Sequence, residues 1–325
     1  MTRSRLVAYV LTLWTVLTLN FVLPRLLPGD PLNTLFDRDT PGYVADESVR
    51  TRLAMYYGLD RPATQQYLDY LRETLRGNLG WSISLNRPVA ELIRDHLPWT
   101  LLLTLTALAL ASLVGVLVGA EAAWRRGSGL DRALVAASII ASNVPVYVLG
   151  TFLLIGFAVH LAPQWLPMAG GRTPFARYGS LVAMAQDIAV HLFLPVTTLA
   201  LHLVGAKLLL VRNSMVSILG EDFMLIARAK GLREVTLKRN HALRNAVLPF
   251  VAQLGSQMGL AITGAVFVET TFDYPGMGRL ILNAVGSRDY PVIQSVFLIV
   301  AFVVLTSNLV ADLINARLDP RVGAP

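Results

Sequence analysis

The chain has 325 residues, of which 54% are hydrophobic and only 15% are charged. A water-soluble domain of this length carries more charge, so the composition predicts an integral membrane protein. The net charge of +7 would otherwise raise the question of nucleic-acid binding, but cytoplasmic loops of membrane proteins collect basic residues, and we expect no nucleic-acid partner. Because there is no cysteine, disulfides and cysteine-ligated metals are excluded.

Six apolar stretches are long enough to cross the hydrocarbon layer, which takes roughly 20 helical residues. They are Leu6–Leu23, Leu97–Trp124, Ala133–Val159, Ile188–Val211, Leu248–Val268 and Val292–Ile314. Such long runs predict helices, because membrane β-barrels show short alternating segments instead. The expected fold class is an all-α integral membrane protein with six transmembrane helices. Pro145 and Pro195 can kink the third and the fourth of them.

The distribution of basic residues predicts the orientation of these helices. Arg3 and Arg5 precede the first span, which therefore starts in the cytoplasm, and no small-residue cleavage site follows it, as a signal peptide would require. With that start, the arginine-rich loops are all cytoplasmic. Residues 1–28 then form the first transmembrane helix, residues 29–96 an extracytoplasmic segment, and residues 97–325 a core of five helices with a cytoplasmic C-terminus.

Few ionisable residues fall within the spans. They are Glu121, Lys207, Glu269 and Asp312, all near span ends, where we expect their side chains to reach headgroups or water. The midplane is almost free of charge, which disfavours an ion-coupled carrier, since such carriers place carboxylates or broken helices at that depth. The glycine pairs Gly115–Gly119 and Gly255–Gly259 are typical of close helix packing.

Signatures of catalysis are absent from the sequence. There is no Gly-x-x-x-x-Gly-Lys-Ser/Thr loop, no His-Glu-x-x-His and no Gly-x-Ser-x-Gly, and the five histidines are scattered. We expect a chain that is not an enzyme and that holds no cofactor, metal or nucleotide of its own.

The most informative segment is the cytoplasmic loop 212–247, between the fourth and fifth spans. It predicts two short amphipathic helices separated at Gly231, a residue suited to the left-handed conformation that ends helices. Phe223, Ile226 and Ala227 give the first helix an apolar side. A projecting pair of helices fits a groove in a cytoplasmic partner. A solvated basic loop that only follows the charge rule for cytoplasmic loops fits these residues equally well.

The same loop resembles the coupling loop, or EAA loop, of the membrane subunits of binding-protein-dependent ABC importers. The resemblance rests on Ala227–Leu232 and on His241, Leu243, Arg244, Asn245 and Ala246, in the form typical of oligopeptide and dipeptide permeases. The glutamate and first alanine of that motif correspond to Leu225 and Ile226 here, so a contact made by the glutamate is in doubt.

Agreement with this family extends along nearly the whole chain. It includes Pro28–Pro31, Tyr57–Pro62, Gly77–Ser82, Arg87–Val89, Pro98 with Thr100, Glu269–Gly278, Arg288–Pro291, Asn308–Asp312 and Asp319–Arg321. The Pro28–Pro31 element and the long first outside segment favour the B-type subunit over its C-type counterpart.

The resemblance implies the transmembrane domain of a type I ABC importer in the bacterial cytoplasmic membrane. The implied function is that of a pore-forming permease subunit in ATP-driven, binding-protein-dependent import of oligopeptides or dipeptides. The implied partners are a C-type permease subunit, two ABC ATPases or one fused ATPase, an extracytoplasmic substrate-binding protein and membrane lipids, with ATP and Mg bound by the ATPases. An exporter, an ion-coupled carrier and an intramembrane enzyme are the alternatives.

The resemblance also implies roles for individual residues. The ATPase-coupling interface would be formed by Ala227, Arg228, Lys230 and Gly231. The loop would be braced against the spans by His241, Arg244 and Asn245. The outer gate would include Glu269, Phe272, Pro275, Gly276 and Gly278.

Overall fold

The structure is a computed structural model of the chain, and it describes residues 3–26, 47–56, 60–161 and 165–318. Within these residues the regular secondary structure is helical, apart from one bridge between Trp81 and Pro88. In chain order the helices are α1 (Arg3–Leu26), α2 (Glu47–Tyr56), α3 (Ala63–Leu75), α4 (Val89–Trp124), α5 (Gly129–Asn143), α6 (Val146–Leu161), α7 (Leu181–Ile218), α8 (Asp222–Ala229), α9 (Glu234–Ala252), α10 (Leu254–Thr271), α11 (Met277–Gly286) and α12 (Tyr290–Leu318). The family elements Pro28–Pro31 and Asp319–Arg321, and the start of Tyr57–Pro62, lie outside the described residues.

Several of these helices have the length and apolarity of membrane spans. Among the described residues, α4, α7 and the Tyr290–Ala311 part of α12 meet both conditions singly. Two bent pairs, α5 with α6 and α9 with α10, raise the number to five if each pair is one span, and Leu11–Leu26 of α1 is apolar but shorter. The helical class is therefore confirmed, and the number six stays a prediction.

The two prolines singled out in the sequence behave differently. Val144 takes an extended conformation before Pro145, as residues that precede proline prefer, so α5 ends at Asn143 and α6 leaves it at 102°. Pro195 lies inside the continuous helix α7, which at 1.5 Å per residue is about 57 Å long. Helix α7 is therefore much longer than the hydrocarbon layer is thick.

The chain divides into two compact units, and the first comprises Met1–Pro98 with Arg279–Val303. In this unit α1 packs on α3, where the Thr18 and Tyr67 hydroxyls lie 2.8 Å apart. The carboxylate of Asp289, just before α12, accepts hydrogen bonds from the Ser82 hydroxyl at 2.5 Å and from the backbone N–H of Ser84 at 2.9 Å. Two family elements that are 200 residues apart in sequence are thus joined by one buried carboxylate.

The second unit comprises Trp99–Gly278 with Val304–Pro325. Its core is formed where α4, α7 and α10 face one another, around Leu103, Leu199 and Ala265. Close contact of α4 with α7 depends on two glycines: a Cβ atom on Gly115 would lie 2.7 Å from the Lys207 Cβ, and one on Gly119 would lie 2.7 Å from the Leu208 carbonyl oxygen.

The second glycine pair has only one member in such a contact. A Cβ on Gly255 would lie 2.8 Å from Ala311, whereas a Cβ on Gly259 would make only an ordinary contact with Val304, at 3.6 Å. The structure therefore gives a packing role to Gly115, Gly119 and Gly255, and no steric requirement at Gly259.

We predict that Gly119→Ala lowers the stability of the purified protein by about 1–3 kcal/mol, because α4 must move away from the backbone of α7. The matched control is Gly129→Ala in the first turn of α5, where no atom lies within 4 Å of the added methyl group. Thermal unfolding in detergent, followed by size-exclusion chromatography, compares the two variants. A melting temperature for Gly119→Ala equal to that of the control would contradict the prediction.

Candidate functional site

Segment 212–247 contains the helix α8, whose last residue is Ala229, two residues before Gly231. Lys230 is the C-cap residue, and the N–H of Gly231 donates to the Arg228 carbonyl at 2.9 Å. Gly231 has a φ of +75°, a conformation that costs a residue with a Cβ atom free energy even where there is room for it. The chain then turns and continues as α9, so a helix lies on each side of Gly231.

Helix α8 carries two sets of apolar side chains, one buried and one exposed. Met224 and Ala227 are buried against the ends of α4 and α7 and against α9. The buried cluster consists of Ala120, Ala123, Met215, Met224, Ala227, Leu237, Ala242 and Ala246. Phe223, Leu225 and Ile226 are exposed. One side thus holds α8 in place, and the other is an exposed apolar surface.

Two sets of charged groups lie beside this region: one joins α9 to α4, and the other joins α7 to α5. The Glu121 carboxylate at the end of α4 pairs with Lys238 of α9, and also with Arg125 at 2.6 Å. The Asp131 carboxylate in the first turn of α5 accepts two hydrogen bonds from the Arg212 guanidinium of α7, at 2.6 and 2.8 Å. Such bidentate pairs fix orientation as well as distance.

The residues predicted for the coupling interface lie in different environments. Arg228, Lys230 and Gly231 are exposed at the end of α8, whereas Ala227 is buried in the packing of its own chain. Ala227 therefore anchors the helix instead of presenting a surface to another protein.

The bracing role of His241, Arg244 and Asn245 stays a prediction. His241 is half-buried, while Arg244 and Asn245 are exposed, and the Asn245 amide donates to the His241 carbonyl of the same helix at 2.7 Å. The Lys238–Glu121 ion pair and the buried apolar cluster join this loop to α4 and α7. Few carboxylates lie in or beside these basic loops in the sequence. That scarcity was the available signal that Glu121 and Asp131 are ion-pair partners of the basic residues.

A second candidate site surrounds Glu269, whose side chain is fully buried near the end of α10. One carboxylate oxygen accepts from the Thr100 hydroxyl, and the other from the Gly278 N–H, both at 2.6 Å. The Thr100 oxygen in turn accepts from the Met277 N–H at 2.7 Å. These two N–H groups belong to the first turn of α11, where backbone donors lack partners within the helix and a negative charge is favourable.

The glycines of the Glu269–Gly278 element make room for this arrangement. A Cβ on Gly276 would overlap the Glu269 carboxylate, and a Cβ on Gly278 would overlap the backbone of Val266. Phe272 is buried, and its carbonyl accepts from the Gly170 N–H at 3.0 Å, while Pro275 lies close to Gly171. All five residues predicted for the outer gate are thus brought together, in tight packing, and the role of a gate stays a prediction.

Tyr274 completes the packing of this element. Its ring is fully buried and makes an edge-to-face contact with Trp99 at 5.6 Å between centroids. Burial, and to a smaller degree the nearby charge of Glu269, raises the pKa of the Tyr274 phenol above its ordinary value. The phenol therefore stays neutral at physiological pH and adds no second charge beside the carboxylate.

The expectation that the ionisable residues of the spans reach headgroups or water is wrong for two of them. Glu269 is bound as described above, and Lys207 is 1% exposed, with its ammonium group donating to the Gln257 side chain at 2.7 Å. Lys207 thus links α7 to α10 inside the bundle. The position of Lys207 near the end of an apolar run did not predict its burial, because burial depends on helices that are distant in sequence. The side chain of Asp312 lies outside what the structure describes.

The apolar helices are those of an integral membrane protein. A profile of the family described as binding-protein-dependent transport system inner membrane component matches residues 97–324. The chain belongs to this family, and it is therefore a multi-pass inner-membrane permease subunit of an ABC transporter.

Curated relatives match almost the entire chain. A putative peptide permease protein of Brucella suis biovar 1 is 37% identical, over 93% of this chain and 92% of the relative. The di/tripeptide transport system permease protein DppB of Pseudomonas aeruginosa is 34% identical, and the glutathione transport system permease protein GsiC of Salmonella choleraesuis is 35% identical, each over 98% of this chain and 97% of the relative.

We predict that Thr100→Val destabilises the protein by about 1–3 kcal/mol, because the buried Met277 N–H loses its acceptor and Glu269 loses a donor. Thr106→Val is the matched control, since the Thr106 hydroxyl bonds only to carbonyls of its own helix. Thermal unfolding in detergent measures both. Equal melting temperatures would show that the Glu269 arrangement contributes little to stability.

Proposed function

We propose that this chain is one of the two pore-forming permease subunits of an ATP-driven, binding-protein-dependent importer of oligopeptides or dipeptides. The observation that carries the proposal is α8, a short helix packed against the ends of α4 and α7 and against α9 on one side and exposing Phe223, Leu225 and Ile226 on the other. The names of the relatives support a peptide as cargo. Glutathione, which one relative is named for, is itself a peptide, so the cargo class rests on agreement among several relatives.

The proposed topology has six spans, with both termini in the cytoplasm. The spans are α1, α4, the bent pair α5–α6, α7, α10 with the end of α9, and α12. Support comes from the arginine-rich loops 125–132 and 212–247, which fall on one side in this arrangement, and from the length and apolarity of these helices. Residues 29–96 are then extracytoplasmic.

The proposed coupling mechanism is a rigid-body movement passed from the ATPases to the long helices. When the two partner ATPases close on ATP, α8 would move with the groove that holds it. Glu121, Asp131 and their basic partners would carry that displacement to α4, α5 and α7, and the permease pair would change between inward-facing and outward-facing states. Arg228 and Lys230 would contact the ATPase, His241, Arg244 and Asn245 would steady the loop, and the Glu269–Gly278 element would lie near the outer gate.

Reconstitution tests the proposed function directly. We expect peptide uptake into proteoliposomes that contain this chain, a second permease subunit and the ATPases only when ATP and the binding protein are both supplied. Uptake without the binding protein would indicate an exporter-like or independent carrier, and uptake driven by an ion gradient without ATP would indicate a secondary carrier. Mass spectrometry of the ligand that co-purifies with the binding protein identifies the cargo.

We predict that Gly231→Val uncouples ATP hydrolysis from peptide uptake while insertion is preserved, since a β-branched residue resists the positive φ that ends α8. Gly77→Val is the matched control. Gly77 has a φ of +77° in the segment after α3, and, as at Gly231, no atom lies within 4 Å of an added Cβ. The ratio of peptide transported to ATP hydrolysed should fall only in Gly231→Val. Normal uptake by this variant would contradict the role of Gly231.

We predict that the double variant Arg228→Glu with Lys230→Glu lowers recovery of the ATPases in co-purification by about tenfold or more. The ATPase would then face two negative charges where the wild type presents two positive ones. The control is Arg126→Glu with Arg132→Glu, which reverses one exposed charge on the loop between α4 and α5 and one in the first turn of α5. An equal loss in both double variants, or no loss in either, would favour the solvated-loop alternative.

A further inference from the structure

The first unit contains a cavity of about 300 Å³ that the proposed transport mechanism does not use. It is bounded by the end of α1, by α3, and by the first turns of α12. Its polar lining includes Arg25, Gln66, Asp69, Glu73, Tyr290 and Gln294. A volume of this size is at the lower end of the roughly 300–1,000 Å³ found for small-molecule sites, so it holds a headgroup-sized ligand.

Arg25, in the last turn of α1, supplies a cation without a counter-charge. Its guanidinium donates to the Gln66 side-chain oxygen at 2.8 and 3.3 Å and to the Phe21 carbonyl at 2.9 Å, and it lies 3.6 Å from the Phe21 ring centroid. No carboxylate pairs with it among the residues that the structure describes. A guanidinium has five N–H donors, so two remain for an oxygen-rich ligand.

Gln294, one turn into α12, lines the same cavity and is 9% exposed. Its side-chain N–H₂ group has no hydrogen-bond partner within the described part of the chain. A buried donor without a partner costs free energy, and an acceptor placed in the cavity would recover it. Arg25 and Gln294 together therefore call for a ligand with several acceptor oxygens and a negative charge.

Another part of the cavity wall carries two carboxylates. Asp69 pairs at 2.9 Å with Arg61, which also lines the cavity, and Glu73 accepts from the Asn78 amide at 2.8 Å and pairs with Arg76 at 3.3 Å. These carboxylates are already paired, so they do not neutralise Arg25. A carboxylate has about four lone-pair sites, so each can still accept a hydrogen bond from an ammonium group on the ligand. A ligand with an anionic end and a cationic end matches both sides.

The cavity also lies where two apolar helices end. Arg25 follows the apolar stretch Leu11–Leu26 of α1, and Tyr290 begins the candidate span Tyr290–Ala311. Arginine and tyrosine at the ends of spans lie at the level of lipid headgroups. On the proposed topology, both ends are on the extracytoplasmic side.

From this geometry we propose that the cavity binds the headgroup of a zwitterionic phospholipid, with the phosphate at Arg25 and Gln294 and the ammonium group towards Asp69 and Glu73. The proposal rests on the topology given under the proposed function. The acyl chains lie outside the cavity, along α1 and α12. The bound lipid would then be a structural component of the first unit.

Native mass spectrometry of the full chain in detergent tests the proposal without ATPases or binding protein, so the result does not depend on whether the chain transports peptides. Phosphatidylethanolamine, phosphatidylglycerol and inorganic phosphate are added separately. We expect one tightly retained phosphatidylethanolamine per chain, weaker retention of phosphatidylglycerol, and no displacement by inorganic phosphate. Displacement by phosphate, or retention of phosphatidylglycerol at least as strong, would overturn the assignment.

Variants separate the cavity from general charge effects. Arg25→Gln and Gln294→Leu should each weaken retention of phosphatidylethanolamine, the first by about tenfold or more because a charged hydrogen-bonding group is lost. Arg94→Gln removes an equally positive, exposed side chain of the same unit that does not line the cavity, and it should retain the lipid. Wild-type retention in Arg25→Gln would overturn the proposal.

A variant that gains affinity for a lipid distinguishes a changed site from a misfolded protein. Glu73→Gln removes negative charge from the ammonium side of the cavity, so it should bind phosphatidylglycerol more tightly than the wild type does and reduce the preference for phosphatidylethanolamine. A misfolded chain would not gain affinity for one lipid while losing preference for another. If Glu73→Gln keeps the wild-type preference for phosphatidylethanolamine, the Glu73 carboxylate does not select the headgroup, and the zwitterionic assignment is overturned.

Discussion

The close approach of α4 to α7 is the constraint on which the second unit depends. Gly115 and Gly119 let the two backbones touch, so the ends of both helices are fixed relative to each other. Those ends carry Glu121 and Arg212, the groups that hold α9 and α5. A larger side chain at either glycine would separate the two attachment points. The position of loop 212–247 therefore depends on a contact between α4 and α7 inside the apolar part of the bundle.

The path from α8 to the long helices combines two kinds of interaction with different consequences. Met224 and Ala227 attach α8 to α4, α7 and α9 by apolar burial, which is non-directional and tolerates small shifts. The Asp131–Arg212 pair joins α7 to α5 and is directional, since both of its hydrogen bonds must keep their geometry together. The proposed motion of α8 would thus pass through its apolar contacts to α4 and α7, and the ion pair would pass it from α7 to α5.

The sequence predicted features that depend on local chemistry. The helix end near Gly231 and the close packing at Gly115 and Gly119 follow from backbone preferences or side-chain size at single positions. At Pro145 the sequence predicted only a kink within one span, whereas the structure has two helices at 102°. The environments of Lys207 and Glu269 were not predicted, since each is decided by a partner far along the chain, Gln257 for one and Thr100 for the other. The glycines of the Glu269 element could be recognised as a family motif, but their physical cause, room for a buried carboxylate, required the fold.

Helix α7 is held by side-chain hydrogen bonds near each of its ends, so a movement at one end can reach the other, as the coupling proposal requires. Asp187 in its second turn accepts from the Thr173 hydroxyl at 2.6 Å and from the Tyr178 hydroxyl at 2.6 Å, which ties the preceding segment to the helix. Arg212 near the other end holds Asp131. The 25 residues between Asp187 and Arg212 span about 38 Å of helix, close to the 40–45 Å of a bilayer with its headgroup regions. A displacement applied at Arg212 is therefore delivered at Asp187 by one continuous helix.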